Sequence, residues 1–195
     1  MALTALTTPW RVHGVLPRSA ANGPGERFVI WSQGCALACP GCFNPETHTP
    51  AGGAVRTVGE LVDAVLAEVP GIEGVTLTGG EPLAQPAAVA AFGAALRART
   101  DLGVIVLTGF TRAEIEADLA QAGAVAGADL VVAGRYNRHQ RVAAGLRGSA
   151  NKAYWDRSGR YRPGELGQVP EAEVTLGVDG TVTMTGMVAP GRDFW

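Results

Sequence analysis

All three cysteines of the chain lie in one short stretch, Trp31-Ser32-Gln33-Gly34-Cys35-Ala36-Leu37-Ala38-Cys39-Pro40-Gly41-Cys42-Phe43-Asn44, spaced C-x3-C-x2-C. Three thiols cannot all pair as disulfides. The first residues, Met1 to Pro9, lack the charged start and long apolar middle of a secretion signal. The expectation is therefore a reducing, cytoplasmic setting, where clustered cysteines hold metal or do redox chemistry more often than they staple a fold. Three chemistries are open. A structural zinc site needs four ligands, so His48 or His13 would have to complete it. A thiol redox pair is suggested by Cys39-Pro40-Gly41-Cys42, which leaves Cys35 idle. A four-iron cluster ordinarily takes four thiolates. With only Cys35, Cys39 and Cys42, one iron stays open to a chelating ligand from outside, as a catalytic metal site keeps one position free.

Four short apolar runs can position that loop: Phe28-Val29-Ile30-Trp31, Val75-Thr76-Leu77-Thr78, Val104-Ile105-Val106-Leu107 and Asp129-Leu130-Val131-Val132-Ala133. Each is continuous and bounded by glycine or polar residues, the pattern of strands buried on both faces. Helical signals lie between them. Thr57-Val58-Gly59-Glu60 has the form of a capping box, followed by Leu61, Val62, Val65, Leu66 and Val69 at helical spacing and stopped by Pro70-Gly71. Val89, Phe92 and Leu96 make a second stripe, and Thr111-Arg112-Ala113-Glu114 repeats the capping-box form ahead of Ile115 and Leu119. Alternating strand and helix predicts βα crossovers and a parallel sheet. Val174 to Val178, Asp179-Gly180 and Thr181 to Met184 read as a hairpin with a type I′ turn. From Gly134 to about Ala172 no period is sustained, which marks a functional or mobile segment.

In parallel α/β folds, reactive groups collect on the loops that follow the strands. The cysteine loop follows the first run, Thr78-Gly79-Gly80-Glu81-Pro82 the second and Leu107-Thr108-Gly109-Phe110 the third. A C-x3-C-x2-C loop followed by a Gly-Gly-Glu-Pro turn resembles the radical S-adenosylmethionine (SAM) superfamily. "QGCALACPGCFNPETH", Leu107-Thr108-Gly109-Phe110-Thr111, Asp129 to Tyr136 and Arg147-Gly148-Ser149-Ala150-Asn151-Lys152 resemble its small glycyl-radical activases, in particular those serving anaerobic ribonucleotide reductase. The likeness runs from about Gly14 to Lys152. Ala133 stands where that group often has Asp, Leu107 where it often has an aromatic, and Lys152 where Gln is usual. Gly41 replaces the aromatic that the wider superfamily has there but is normal in this group.

The resemblance implies that Cys35, Cys39 and Cys42 hold a [4Fe–4S] cluster whose fourth iron is chelated by SAM, with Gly79, Gly80 and Glu81 at the SAM amino group. It implies reductive cleavage of SAM to a 5′-deoxyadenosyl radical that abstracts hydrogen, with the protein orienting the cofactors. Gly41 and Phe43 would touch the adenine, unless Phe43 is core packing. Thr108 would contact the ribose or methionine, unless it is a turn residue. Asn44 braces the cluster loop or caps the next turn. His48 reads as a loop histidine rather than a ligand. Ser149 and Asn151 either order the long loop over the site or make a local turn. No separate acid or base is assigned.

The chain has 195 residues, 47% of them hydrophobic, and no apolar run long enough to span a bilayer. A complete (β/α)8 barrel needs ~250 residues. The expected fold is therefore α/β: a partial, TIM-like barrel open at the side, in a single domain spanning 1–195. Its core is 14–152, and 153–195, with the hairpin at 174–184, is an unmatched extension. An open side admits a large substrate, such as a glycine-bearing loop of a glycyl-radical enzyme. A one-electron donor such as flavodoxin or ferredoxin would reduce the cluster. Net charge is −2, yet residues 135–162 hold eight basic residues and one acid, Asp156, and so carry +7. That stretch reads as a solvated loop, as a docking surface for an acidic protein, or as a nucleic-acid surface with Tyr136, Tyr154, Trp155 and Tyr161 interleaved. The negative overall charge argues against nucleic acid. Two other function classes remain: a radical SAM enzyme acting on a peptide or small molecule, with the hairpin as adaptor, and a non-catalytic zinc or iron–sulfur protein.

Overall fold

The computed structural model describes residues 3–187. In chain order the elements are α1 (Leu3–Leu6), β1 (Pro9–Ser19), β2 (Arg27–Ser32), β3 (Ala54–Thr57), α2 (Val58–Leu66), β4 (Gly74–Gly79), α3 (Pro86–Arg97), β5 (Gly103–Leu107), α4 (Arg112–Ala117), α5 (Leu119–Ala124), β6 (Leu130–Ala133), β7 (Arg141–Ala144), β8 (Arg147–Ser149), β9 (Ala153–Asp156), α6 (Pro163–Leu166), β10 (Ala172–Leu176) and β11 (Val182–Gly186). Seven strands form one mixed sheet in the order β3-β1-β2-β4-β5-β6-β9. The central four, β2, β4, β5 and β6, are parallel and match the four apolar runs. β1, β3 and β9 add antiparallel strands at the two ends.

Period-two alternation splits the sheet into two buried faces. Phe28, Ile30, Val75, Leu77, Val104 and Val106 pack on α2 and α3 through Leu61, Val62, Val65, Val89, Phe92 and Leu96. Ile105, Leu107, Leu130 and Val132 point the other way and pack on Leu146, Leu166 and Val169, with Tyr161 and Met187 against them. The segment without sequence period is thus built into the second face.

That second face also carries Arg27, which is fully buried. Its five N–H groups reach Thr76 Oγ1 (2.8 Å), Pro24 O (3.2 Å), Tyr161 Oη (3.0 Å), Val75 O (2.8 Å) and Gly103 O (2.7 Å). A buried cation costs stability unless every donor is satisfied, and here each one is. The arrangement ties the starts of β2, β4 and β5 to the loop after β9.

Both expected capping boxes form, at Thr57/Glu60 and Thr111/Glu114. Four readings are corrected. The strand at residue 28 is the second, because β1 precedes it. β1, which lies between β3 and β2, mixes buried positions such as Trp10 and Val12 with half-buried and exposed ones, so it lacks a continuous apolar run. α2 ends at Leu66, before Val69, which is exposed. Leu119 does not extend the Ile115 stripe: Asp118 leaves helical geometry, its carboxylate caps a new helix at Ala120 and Gln121, and Leu119 is 90% exposed. The turn between β10 and β11 is not type I′, since Asp179 has no positive φ. It is a three-residue loop in which Gly180 takes φ +84°, Gly180 N–H donates to Gly177 O (2.9 Å) and Gly177 N–H to Thr181 O (2.7 Å). Trp195 lies outside the described residues.

Candidate functional site

Because β2, β4 and β5 are parallel, the loops after them open on one rim. A cavity of about 610 Å³ there is lined by Cys35, Cys39, Cys42, Phe43, Gly79, Gly80, Glu81, Thr108 and Lys152. A larger one, about 1010 Å³, opens among residues such as Gly25, Glu73, Asp101 and Arg160, beside the starts of the same strands. No cysteine lines it, so the chemistry belongs to the first.

The cysteine loop is held by its own backbone. Gly34 N–H donates to Thr47 O (2.8 Å), Cys35 N–H to His48 O (3.0 Å) and Cys42 N–H to Cys39 O (3.1 Å). Ala38 turns the chain between the first two cysteines with φ +43°, a conformation uncommon for a residue with a side chain. All three thiols are free and half-buried. Burial pushes the Cys35 and Cys42 thiols up, against backbone N–H groups of Leu37 and Ala38 at Cys35 and of Asn44 at Cys42. Asn44 N lies 3.4 Å from Cys42 Sγ. Amides aimed at sulfur are the donors that stabilise cluster thiolates.

The fit to an iron–sulfur centre rests on that donor set: three unpaired thiols on one cavity, with N–H groups on two of the sulfurs. Among the described residues, no three Cys, His, Asp or Glu side chains converge on a single metal ion. A four-iron cube needs each sulfur at its own corner rather than at one shared point.

The Gly79-Gly80-Glu81 turn is stitched to the same loop. Gly80 N–H donates to Ser32 O (2.8 Å) and Glu81 N–H to Gly34 O (3.0 Å). At Gly79, φ is +95° and an added Cβ would stand 2.7 Å from Trp31 Cα and Ser32 N. Only glycine fits that approach. Glu81 is buried, 1% exposed. Its Oε1 accepts from Leu83 N–H (2.9 Å) and the Thr108 hydroxyl (2.8 Å), and its Oε2 from Gly109 N–H (2.7 Å). Burial raises its pKa and these three donors oppose the rise. The carboxylate thus fastens the turn after β4 to the turn after β5, besides lining the cavity.

Other expected residues are placed as follows. Thr108 is buried, with its hydroxyl on Glu81 and its carbonyl accepting from Lys152 Nζ (3.0 Å). Phe43 packs against Tyr136, with ring centroids 4.9 Å apart and planes tilted by 54°, beneath the Arg141 guanidinium, and closely abuts Gly148. Gly41 takes φ +74° and faces Arg138 and Tyr136 rather than lining the cavity. Asn44 lines the cavity, and its side chain makes no cap; its carbonyl takes Thr47 instead. Ser149 and Asn151 do not line it. Ser149 Oγ accepts from Asn137 N–H (3.1 Å) and Asn151 Nδ2 donates to Arg135 O (2.8 Å), which ties the loop between β6 and β9 together. His13 lines the cavity with Nδ1 2.9 Å from Gln33 Oε1. His48 does not line it, and its Nε2 is buried without a partner.

Sequence reasoning missed two bracing amides. Gln33 Nε2 donates to Glu46 O (3.2 Å) and Thr49 O (2.6 Å), and Gln85 Nε2 donates to Arg11 O (2.8 Å) and Gln33 O (3.1 Å). Gln33 stands two positions before Cys35 and Gln85 four after Glu81, and nothing in spacing marks them. It also missed that Thr183 to Met187 line the cavity. Ser19 Oγ donates to Glu173 Oε2 (2.6 Å) and Asn22 Nδ2 to Thr185 Oγ1 (2.8 Å), which seats the β10–β11 ribbon beside β1.

Comparison with known proteins bears on this geometry. Residues 21–155 match the family described as "4Fe-4S single cluster domain". The anaerobic ribonucleoside-triphosphate reductase-activating protein of Vibrio cholerae is 31% identical over 72% of this chain and 94% of its own length. The pyruvate formate-lyase-activating enzyme of Clostridium pasteurianum is 41% identical over 39% of this chain and 34% of its own. A putative glycyl-radical enzyme activating enzyme of Haemophilus influenzae is 40% identical over 42% and 31%. The chain thus spans about a third of the length of the last two. On the family match and the Vibrio relative together, the chain belongs to the 4Fe–4S single-cluster family, in its radical SAM activase branch, whose cofactors are a [4Fe–4S] cluster and SAM.

Proposed function

We propose that this chain is a radical SAM oxidoreductase that installs a glycyl radical on a partner enzyme such as anaerobic ribonucleotide reductase. The observation that carries the reading is the lacing of two loops around one cavity: three free thiols on one, Gly79-Gly80-Glu81 on the other. With the cluster and SAM bound there, the chemistry supplied is one-electron cleavage of a carbon–sulfur bond and hydrogen abstraction. Cys35, Cys39 and Cys42 hold the metal. Gly79, Gly80 and Glu81 would hold the SAM amino group, and Phe43 and Thr108 flank the cavity. Gly41, Asn44, Ser149 and Asn151 shape the loops around it.

The fold supports a partial barrel, open at its side, acting as one domain over 1–195. β3 and β9 each have one neighbour in the sheet, and the β10–β11 ribbon flanks the cavity. Charge supports a protein partner. Among the described residues, Arg138, Arg141 and Arg147 form no ion pair, while Arg135 pairs with Glu114 and Arg160 with Asp101. The unpaired arginines sit around Phe43 and the β7–β8 ribbon, a collar suited to an acidic surface. A flavodoxin or ferredoxin supplies the electron.

The test is anaerobic mixing of the full chain with reduced flavodoxin, SAM and an anaerobic ribonucleotide reductase. The expected result is a glycyl-radical signal on the reductase, formed at least tenfold more slowly by Arg138→Glu/Arg141→Glu. 5′-Deoxyadenosine without a glycyl radical would favour the second reading, a peptide or small-molecule substrate. That reading has the apolar Met184 and Met187 lining the cavity in its favour.

A further inference from the structure

Of the 16 Lys and Arg residues in the chain, Lys152 is the only lysine. It stands immediately before β9, whose Ala153 pairs with Ala133 at the end of β6, so it reaches the rim that carries the cysteines. Lys152 N–H donates to Ser149 O (3.2 Å), which fixes its backbone. Its side chain enters the cavity, where Nζ donates to Thr108 O at 3.0 Å. The ionisable groups around it are Glu81, Cys39, Cys42 and Arg135.

This ammonium is under-compensated. Its one hydrogen bond is to a neutral carbonyl, and the nearby Glu81 carboxylate is occupied by Leu83, Thr108 and Gly109. Burial lowers the Lys152 pKa, with Glu81, Cys39 and Cys42 acting against the fall. A buried cation in such a setting needs an anion, and a compact ammonium acts on it as a point charge. A four-iron cluster on three thiolates is itself an anion, with a 2+ core and three sulfur charges, and reduction adds another. Net charge is one of the terms that set a cluster's potential.

We infer that Lys152 is the counter-charge of the cluster, favouring its reduced form and so raising the potential at which the chain accepts its electron. The step is the addition of one electron from an external one-electron donor to the cluster, with no proton moved and no bond formed. The inference rests on the cluster reading of the site. It makes Lys152 a positioning residue for charge, acting through the metal centre and not on substrate.

The test is an EPR-monitored redox titration of the reconstituted full chain, without SAM, for the natural protein, Lys152→Gln and Lys152→Arg. At an effective dielectric of ~20, a unit charge acting over ~8–10 Å inside a protein changes a one-electron equilibrium roughly 20-fold, which is about 77 mV for such a couple. Lys152→Gln is expected to keep its iron and move that far to more negative potential, while Lys152→Arg stays near the natural value. If Lys152→Gln loses its iron and Lys152→Arg keeps it, the counter-charge is needed for assembly itself, which supports the inference. Equal potentials in Lys152→Gln and the natural protein would overturn it. So would an equal shift in both variants, loss of iron from both, or a shift seen only after SAM is added, which would assign the ammonium to the SAM carboxylate. If the natural chain takes up no iron, the cluster reading fails first, and the two failures are told apart by that control.

Discussion

Glu81 makes a demand that can be tested with no cofactor present. Its carboxylate is buried and accepts three hydrogen bonds that join the turn after β4 to the turn after β5. Glu81→Gln preserves the volume but replaces one oxygen by an NH2 group. If the remaining carbonyl serves Leu83 and Thr108, the NH2 meets the Gly109 N–H, donor against donor. One charge-assisted bond is lost, at ~1.5–3 kcal/mol, and a buried donor left unsatisfied costs a further ~1–3 kcal/mol. Removing a buried charge offsets part of this. The net loss is about 2–4 kcal/mol, which at this chain length lowers Tm by roughly 4–16 °C. The assay is thermal unfolding of the metal-free chain followed by far-UV circular dichroism. Thr108→Val serves as the partial perturbation, removing one donor to Glu81 and the acceptor of Phe110 N–H, for about 1–2 kcal/mol. If Glu81 served only as a SAM ligand, Glu81→Gln would leave the metal-free Tm within about 1 °C of the natural value, and the reasoning here would be refuted.

Two further perturbations follow from the packing. Arg27→Met strands five acceptors around a buried site and is expected to cost about 3–5 kcal/mol, read as a lower denaturant midpoint with unchanged slope. An unchanged midpoint would show that the guanidinium cluster is not holding the sheet. Gly79→Ala forces a Cβ to within 2.7 Å of Trp31 Cα at φ +95°, so iron uptake on reconstitution is expected to fall by more than half, with a lower Tm. Normal iron content in that variant would mean the turn need not approach β2.

The four central strands were legible because each is buried on both faces and so reads as an unbroken apolar run. Helix starts were legible because Thr57/Glu60 and Thr111/Glu114 are local devices that need no tertiary context. β1 was not, since its apolar residues, the buried Trp10 and Val12 among them, are interrupted by Arg11, His13 and Pro17. β7, β8 and β9 are three or four residues long and mostly exposed or half-exposed, too short for a period to register. In the candidate site, the motif residues declared themselves by spacing. Gln33, Gln85 and Lys152 did not, because each acts through contacts far away in the chain, such as Gln85 with Arg11 and Lys152 with Thr108. The double duty of Glu81 was equally hidden, since a Gly-Gly-Glu turn says nothing of which amides its carboxylate meets.

Cleavage of SAM requires that Cys35, Cys39 and Cys42 hold a cluster. The most direct measurement is anaerobic reconstitution of the full chain with iron and sulfide, then reduction with dithionite in the presence of SAM and chromatography of the products. The expected result is a brown protein with about four irons per chain, yielding 5′-deoxyadenosine and methionine, both lost in Cys35→Ser, Cys39→Ser and Cys42→Ser. A colourless protein that takes up zinc and forms no 5′-deoxyadenosine would contradict it.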